Sequence, residues 1–308
     1  MIVLLYKLLF LGSNFALPPP PFFEMQYDLK NHYFCPVCCA MMEYHFTAKI
    51  LFKYTVSYYR CKSCGLIQTE NPYWLDEAYS SAIVDLDIGL VQRNLQLSVM
   101  VTRILDEYFS PYGKYLDFAG GYGLFVRMMR DKGFDFYRND KYCENIFAKY
   151  FDIPSLYEET KQFELVTAFE FLEHIEDPVG ELEQIFKKTD TVLLTTELLP
   201  SNITSVEDWW YFVPETGQHI IFYSEKSFHK IACNLGVNYY SDGKSHHLLT
   251  RRKIDNFSFS APGNINLFGK IRNKLSGIIA QSVKGRLRND NVSILQDYQY
   301  IQELIRGR

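Results

Sequence analysis

A strand-like run that leads into a glycine-rich turn and then a helix is the most constraining feature of this sequence. Residues 115–125 read YLDFAGGYGLF, with glycines at Gly120, Gly121 and Gly123. Glycine lets the backbone turn sharply and approach a bound molecule closely. A second strand-like run closes on Asp140, about twenty residues downstream, which is the offset of an acid that binds ribose hydroxyls. Together the two features predict a nucleotide-like cofactor in an α/β fold.

The spacing of the glycines separates two classes of cofactor. A dinucleotide fingerprint would read G-x-G-x-x-G, with a helix N-terminus directed at a pyrophosphate. Here the order is Asp-x-Ala-Gly-Gly-x-Gly, and the acid at the strand end would repel a pyrophosphate but suits a cofactor with a cationic head. This turn resembles motif I of the class I S-adenosylmethionine-dependent methyltransferases. The resemblance implies that cofactor is bound by Asp117, Ala119, Gly120, Gly121, Gly123, Asp140 and Glu170.

Ala119 departs from that family, which usually has its first glycine at this position. We expect a strain of roughly 1 kcal/mol if the backbone there needs a positive φ. Around the turn, strand-like and helix-like segments alternate, which predicts a doubly wound, Rossmann-like α/β sheet with ligands at the carboxyl ends of the strands. The resemblance implies the seven-stranded methyltransferase sheet. The predicted elements are strands at 115–118, 133–140, 163–169 and 191–196, a capped helix at 224–236, and a final hairpin of 237–240 with 246–251.

Two Cys-x-x-Cys pairs precede the predicted sheet, with 22 residues between Cys38 and Cys61. This spacing is typical of a zinc ribbon in which Cys35, Cys38, Cys61 and Cys64 offer four thiolates to one tetrahedral ion. Cys39 is an adjacent competitor, but Cys38 keeps the spacing symmetrical. A disulfide framework is the alternative, and the intracellular character of the cofactor domain argues against it. With four protein ligands the zinc is predicted to be structural.

The ribbon and the glycine-rich turn together resemble a narrower group, the sugar C-methyltransferases of deoxysugar pathways and relatives found with polysaccharide genes. That group carries a base at the end of a Tyr-x-Glu-His string, and here the string is Thr-Gly-Gln-His219. His219 is therefore the candidate catalytic base, while the missing tyrosine and glutamate leave both C- and O-methylation open. His174, in a Glu-His-x-x-Asp-Pro string, is expected to be structural, with proton acceptance as the alternative. Trp209 and Trp210 either stack on a sugar ring or pack in the core.

The expected organisation has five parts. They are a hydrophobic and proline-rich appendage (1–30), the zinc ribbon (31–75), a helical linker (76–110), the methyltransferase domain (111–255) and a basic helical tail (256–308). The apolar run at the start is too short to span a bilayer, and the natural start is either Met1 or Met25. Three interpretations of the tail are open. A solvated helix is favoured, an oligomer contact comes second, and a surface that binds membrane or RNA comes last.

A net charge of −4 gives no general attraction for nucleic acid. The expected partner is a small-molecule acceptor, most plausibly a sugar that is nucleotide-linked or polymer-bound, in a cytoplasmic enzyme that uses S-adenosylmethionine and structural zinc. Two other functions were weighed. Some ribosomal RNA base methyltransferases also join a cysteine zinc module to this cofactor fold. A non-catalytic interaction module ranks lower, because both Asp117 and Asp140 are present.

Overall fold

The structure is a computed structural model that describes residues 27–28, 32–79, 87–110, 112–153, 163–260 and 294–306. Most of the appendage predicted for residues 1–30 therefore lies outside the described residues. The strands are β1 (Tyr27–Asp28), β2 (His32–Tyr33), β3 (Met42–Ile50), β4 (Tyr54–Cys61), β5 (Ile67–Thr69), β6 (Lys114–Phe118), β7 (Asp135–Asn139), β8 (Leu165–Phe169), β9 (Thr191–Thr195), β10 (Ile221–Phe222), β11 (Asn238–Ser241) and β12 (His246–Thr250). The helices are α1 (Leu75–Ala78), α2 (Leu90–Tyr108), α3 (Leu124–Asp131), α4 (Pro178–Ile185), α5 (Glu225–Leu235) and α6 (Ile294–Arg306).

The central sheet has the strand order β11-β12-β9-β8-β6-β7. The four strands from β6 to β9 are parallel, and β12 and β11 continue the sheet in antiparallel pairing. The alternation of strand and helix predicted from the sequence is thus confirmed, including the final hairpin. Because parallel strands end at the same edge, the segments after β6, β7 and β8 lie side by side.

Six strands, rather than seven, form this sheet among the described residues. At its outer edge Asp152 makes a single parallel bridge to Arg138 of β7. The segment that follows, 154–162, lies outside the described residues. A seventh strand therefore stays a prediction.

Both faces of the central sheet are covered by apolar side chains. In β9, Val192 and Leu194 belong to one buried cluster and Leu193 to the other. This two-residue alternation is what a strand buried on both sides requires. One cluster continues into α2 and α3, and the other continues into α4, α5 and the small N-terminal sheet.

Helix α5 begins and ends where its capping residues predict. The Ser224 hydroxyl accepts a hydrogen bond from the Ser227 N–H at 3.1 Å, which satisfies one of the free donors of the first turn. At the other end Gly236 has a φ of 64°, the left-handed conformation in which glycine commonly closes a helix. The helix therefore lies where the sequence places it.

The small N-terminal sheet has the order β10-β5-β4-β3. Strands β3 and β4 form an antiparallel hairpin between the two cysteine pairs, as in a zinc ribbon. The fourth strand was not predicted, because Ile221 and Phe222 follow β9, about 150 residues after β5, and nevertheless pair with β5. The two sheets share one hydrophobic cluster. They also meet at Trp74, whose indole N–H donates to the Gly217 carbonyl at 2.8 Å.

Helix α6 lies against the chain's own central domain through a buried acid. Asp297 accepts hydrogen bonds from Arg130 of α3 at 2.8 and 3.0 Å and forms an ion pair with Arg127 at 2.9 Å. A paired charge can be buried, whereas an isolated one is costly. The amphipathic part of the predicted tail, within residues 261–293, lies outside the described residues, and an oligomer contact there stays a prediction. None of the described helices combines the length and apolar character needed to cross a bilayer.

Candidate active site

The turn after β6 has the backbone shape expected of a ligand-binding loop. Ala119 has a φ of 54° and Gly121 a φ of 52°, so the alanine occupies the strained region considered above. A β-carbon at Gly120 would stand 2.6 Å from the Asp117 carboxylate, so a larger residue there would have to displace this buried side chain. At Gly121 an added β-carbon would meet nothing within 4 Å. The loop thus leaves open space on one side, as a bound cofactor requires.

The end of the turn is fixed by its own hydrogen bonds. Gly123 directly precedes α3, has a φ of 83°, and donates its N–H to the Gly120 carbonyl at 3.0 Å. A β-carbon at Gly123 would stand 2.6 Å from Asn145. On the other side Arg138 donates to the Gly121 carbonyl at 2.6 Å. These contacts hold the loop in shape without a ligand, so its amide groups are organised in advance.

Asp117 is almost completely buried, with 3% of its surface exposed. Burial raises the pKa of its carboxyl to about 7, opposed by the hydrogen bond that Thr167 of β8 donates at 2.6 Å and reinforced by the charge of Asp140. Thr167 is also the register partner of Asp117. Asp117 is thus buried beneath the glycine-rich turn, and its role in cofactor binding stays a prediction.

Asp140 lies directly after β7 and is bound by three backbone amides. One carboxylate oxygen accepts from Gly121 at 2.9 Å, and the other accepts from Tyr142 and Cys143, each at 2.8 Å. An ionised carboxylate offers about four acceptor positions. One position thus remains on the oxygen that faces the glycine-rich turn, and it is suited to a ribose hydroxyl.

A second group of polar side chains lies after β8, around the hydroxyl of Tyr211. This hydroxyl donates to Glu173 at 2.5 Å and lies 3.3 Å from Glu170. Glu170 also accepts from the Thr195 hydroxyl at 2.7 Å and has a φ of 47°. Glu173 has no exposed surface, and its burial together with the charge of Glu170 raises the pKa of Glu173 to about 8. Glu170 is among the residues predicted from the sequence to bind cofactor, whereas a role for Glu173 or Tyr211 was not predicted.

His174 and His219 complete this group, with ring centroids 5.0 Å apart. Nδ1 of His174 lies 3.0 Å from the Gln218 carbonyl, and Nδ1 of His219 lies 2.7 Å from the Tyr211 carbonyl. A carbonyl can only accept, so a proton on Nδ1 of each ring satisfies these two contacts and leaves a lone pair on Nε2. At His174 the Tyr79 hydroxyl lies 2.9 Å from the same Nδ1. Burial lowers the pKa of His174 to about 4 and, with the charge of His174, that of His219 to about 3.

His174 was predicted to be structural and His219 to be catalytic, but the structure brings the two residues into one cluster. One carboxylate oxygen of Glu173 and one ring nitrogen of each histidine lie within 4.8 Å of one another. His174 also contacts the Tyr79 hydroxyl at 2.9 Å, near the start of the predicted linker. The signal in the sequence was the Glu-x-x-Glu-His spacing of residues 170–174, which places both acids and the histidine within one short turn.

The four cysteines of the predicted ribbon converge as expected. The sulfurs of Cys35 and Cys64 are 3.5 Å apart, those of Cys38 and Cys61 are 3.4 Å apart, and all four lie within 4.8 Å of one another. Four sulfurs at about 2.3 Å from a tetrahedral zinc would be about 3.8 Å apart, so the cluster is compatible with zinc. The contact with Cys64 and burial raise the pKa of Cys35, and a cation would relieve this cost.

Cys39, the competing residue, does not belong to this sulfur cluster. It has a φ of 58° and donates its N–H to the Cys35 carbonyl at 2.9 Å. Its side chain is exposed. Cys39 therefore closes the turn that presents Cys35 and Cys38.

Comparison with solved structures gives remote likenesses. The magnesium protoporphyrin IX methyltransferase ChlM from Synechocystis PCC 6803, with bound SAH, is 14% identical, with 58% of this chain and 93% of that chain covered and a TM-score of 0.40. CalO1, a methyltransferase in calicheamicin biosynthesis, is 13% identical (59% and 60%, TM-score 0.38). A putative O-methyltransferase from Nostoc punctiforme PCC 73102 is 15% identical (59% and 61%, TM-score 0.41). This chain thus spans about three fifths of the latter two proteins. At these TM-scores the likenesses carry no argument about its substrate.

Comparison of sequences is more direct. No curated protein matches the chain. Residues 91–241 match the family model described as "Methyltransferase domain". The matched range contains the glycine-rich turn, Asp140 and both histidines of the second group. Because the family match coincides with a turn and an acid that suit S-adenosylmethionine, this part of the chain is a class I S-adenosylmethionine-dependent methyltransferase domain.

Proposed function

We propose that this methyltransferase acts on a hydroxyl group of a small molecule, with a nucleotide-linked or polymer-bound sugar as the acceptor class. The observation that carries the proposal is the position of two polar groups at one sheet edge. The glycine-rich turn follows β6, and the group around Tyr211 follows β8, its parallel neighbour. A methyl donor bound by the turn would therefore lie next to an acceptor bound by the second group.

The cofactor is proposed to lie along the open side of Gly121. When bound, S-adenosylmethionine supplies an electrophilic methyl group on a sulfonium, which is already a good leaving group. The free acceptor position of Asp140 binds a ribose hydroxyl, and the organised amides of the turn bind the remaining polar atoms. Glu170, at the end of β8, adds negative charge on the side where the sulfonium would lie.

The acceptor hydroxyl must lose its proton as the new C–O bond forms, and His219 is the proposed proton acceptor. Its Nδ1–H is tied to the Tyr211 carbonyl, which leaves Nε2 to receive the proton. The lowered pKa keeps this ring neutral at physiological pH and also makes it a weaker base than an exposed imidazole. Glu173, within 4.8 Å of a ring nitrogen of His219, would stabilise the imidazolium that forms once its carboxyl ionises, because an adjacent positive charge lowers the raised pKa of this carboxyl.

Of the two tryptophans in the segment before His219, Trp210 is the proposed contact for a sugar ring. Its side chain is 70% exposed, and its ring centroid lies 5.3 Å from that of Tyr211. Trp209 is 8% exposed and packs against Phe212 and Phe222. An exposed aromatic face beside a polar site is suited to stacking on a sugar. The sequence-level relation to sugar C-methyltransferases remains a hypothesis, and the missing tyrosine and glutamate favour oxygen over carbon as the acceptor atom.

Calorimetric titration with S-adenosylhomocysteine tests the cofactor site. Asp140→Asn keeps the size of the side chain but replaces one acceptor oxygen with a donor, so we expect affinity to fall at least tenfold. Asp190→Asn is the matched control, because Asp190 is exposed and pairs with Arg251 at 3.1 Å. Absence of binding to the unmodified protein would overturn the cofactor proposal.

Transfer of a labelled methyl group to a panel of sugar nucleotides and polysaccharides tests the acceptor class. We expect a labelled sugar that disappears in His219→Asn, while binding of S-adenosylhomocysteine is retained. Labelling of RNA but not of sugars would replace the proposed acceptor with the nucleic-acid alternative. A product methylated at carbon would correct the acceptor atom alone.

A further inference from the structure

We propose that Glu173, His174 and His219 form a binding site for one divalent transition-metal ion, distinct from the four-cysteine cluster. The two sites draw on different residues and different chemistry, since one offers sulfur and the other offers nitrogen and oxygen. This inference goes beyond the proposed function, which needs no metal.

The first support is the spacing of the ligand atoms. One oxygen of Glu173 and one nitrogen from each histidine lie within 4.8 Å of one another. Metal ions bind imidazole nitrogen and carboxylate oxygen at about 2.0–2.2 Å, so ligands of one ion stand about 3–4 Å apart. Small adjustments of three side chains are enough for simultaneous binding.

The second support is an unsatisfied atom. Glu173 has no exposed surface, and its Oε1 accepts from the Tyr211 hydroxyl at 2.5 Å. Its Oε2 is also buried and has no hydrogen-bond partner among the described residues. Leaving a carboxylate oxygen buried and unpaired is costly. A cation bound at this oxygen removes the cost.

The third support is the orientation of the two rings. Nδ1 of each histidine faces a backbone carbonyl, that of Gln218 for His174 and that of Tyr211 for His219, and Nδ1 of His174 also lies 2.9 Å from the Tyr79 hydroxyl. Histidines that bind metals through one nitrogen commonly donate the other N–H to a carbonyl, which fixes the tautomer and the ring direction. Tyr211 serves the site twice, because its carbonyl orients His219 while its hydroxyl orients Glu173.

The ligand set indicates which ions would bind. Two imidazoles and one carboxylate suit zinc, iron, cobalt or manganese, whereas calcium and magnesium prefer oxygen ligands. Three protein ligands leave coordination positions for water or for an acceptor hydroxyl. A hydroxyl bound to such a cation loses its proton more readily. Arg93 opposes cation binding by its charge, but it is paired with Asp87 through two hydrogen bonds of 3.0 Å.

Metal binding and proton acceptance compete for Nε2 of His219. With an ion bound, His219 is a ligand, and the cation takes over the stabilisation of the acceptor oxygen. Without an ion, His219 keeps the role of proton acceptor described above. The two roles can be separated because metal binding is measurable without any acceptor or cofactor.

The test is a metal inventory of the purified full chain, followed by titration with Co²⁺ and with Zn²⁺. We expect two metal ions per chain at saturation. The Co²⁺ that occupies the second site should show the weak visible bands of nitrogen and oxygen ligands, without sulfur charge transfer. Glu173→Gln and His174→Ala should each hold one ion per chain, bound by the four cysteines. That retained ion also shows that each variant is folded.

His229→Ala is the matched control, because His229 is exposed on α5, and it should hold two ions. The proposal is overturned if the unmodified protein takes up no second ion from millimolar Co²⁺ or Zn²⁺. It is equally overturned if the Glu173 and His174 variants hold as many ions as the control. Retained binding of S-adenosylhomocysteine in that case would leave the proposed methyl transfer intact.

Discussion

The four-cysteine cluster and the Glu173/His174/His219 cluster collect ligand-type side chains in different ways. The cysteines come from two short turns joined by one hairpin, and three of the four are buried. The other cluster takes Glu173 and His174 from the turn after β8 and His219 from a segment 45 residues later. Four thiolates close a tetrahedral site, whereas three nitrogen and oxygen ligands leave room for another molecule. The comparison teaches that the number and type of the donors distinguish a structural site from a reactive one.

The largest expected effect is that of Cys64→Ser, which should abolish metal binding by the four-cysteine cluster and with it the N-terminal sheet. Structural zinc contributes on the order of 10 kcal/mol of apparent folding free energy, and the core of this sheet is continuous with the central one. We expect loss of metal in elemental analysis and a fall in Tm of the whole chain. Cys39→Ser is the control and should keep both. An unchanged Tm without metal would show that the cluster does not stabilise the fold.

His219→Asn should have the opposite profile, with activity lost and stability kept. Removal of a proton-transfer group or of a metal ligand is expected to lower kcat by about 10²–10⁴-fold. The melting temperature and the affinity for S-adenosylhomocysteine should change little, since the ring keeps part of its surface exposed. The readouts are initial rates and thermal melts, with His229→Asn as control. A large fall in Tm would instead show that His219 stabilises the fold.

His247 sharpens the comparison, because it is a buried histidine outside both clusters. Burial lowers its pKa to about 4, below the unfolded value of about 6.5. The unfolded chain therefore binds more protons between these values, and stability is lost as the pH falls from 6.5 towards 4. The loss attributable to this residue is as much as about 3 kcal/mol.

The measurement is urea unfolding at pH 7 and at pH 4.5 for the unmodified protein and for His247→Asn. The variant should be less stable at pH 7, because it loses the hydrogen bond from His247 to the Thr196 carbonyl at 3.0 Å. Its free energy of unfolding should, however, change less between pH 7 and pH 4.5 than that of the unmodified protein. In the control variant His229→Asn the substituted residue is exposed, so the change in unfolding free energy with pH should equal that of the unmodified protein. Equal slopes in all three proteins would contradict the assignment.

Trp210→Ala should produce a smaller effect, confined to the acceptor. Loss of one stacked ring is worth about 0.5–1.5 kcal/mol, which corresponds to a rise in KM of up to about tenfold. Both kcat and the affinity for the cofactor product should stay within about twofold. Tyr112→Ala removes another exposed ring and should leave KM unchanged. A lower kcat at saturating acceptor would instead show that Trp210 acts on the reacting groups.

Ala119→Gly should have the smallest effect. The φ of 54° at Ala119 favours glycine, while glycine adds freedom to the unfolded chain, so we expect a net gain of at most about 1 kcal/mol. Ala48→Gly in β3 should be destabilising instead, because this residue is buried in a strand. Differential scanning calorimetry compares the two. A loss of stability on Ala119→Gly would mean that the alanine is not strained in this turn.

Local signals accounted for most of the fold. The strands around the glycine-rich turn, the cap at Ser224 and the cysteine spacing each depend on residues that are neighbours in sequence, and each appears in the structure where expected. The pairing of β10 with β5 could not be predicted in the same way. It joins short segments about 150 residues apart, and neither segment carries a pattern that specifies its partner.

The site was predictable in part for the same reason. Asp117, Asp140 and the glycines follow a spacing that the chemistry of the cofactor imposes. The hydrogen bond from Tyr211 to Glu173 joins separate segments, and no spacing in the sequence predicts it. His174 was expected to be structural because a single histidine near a helix start usually is, and its proximity to His219 needed the three-dimensional structure.

The pairing of β10 with β5 also sets an order of events during synthesis. The first three strands of the small sheet emerge early, but their fourth partner follows after about 150 further residues. At a translation rate of about 5–20 residues per second, the edge of β5 stays unpaired for on the order of 8–30 seconds until that partner is synthesised. During this interval an unpaired strand edge is open to other chains on neighbouring ribosomes. Early capture of zinc by the cysteine turns would shorten the period in which the nascent hairpin is unstructured.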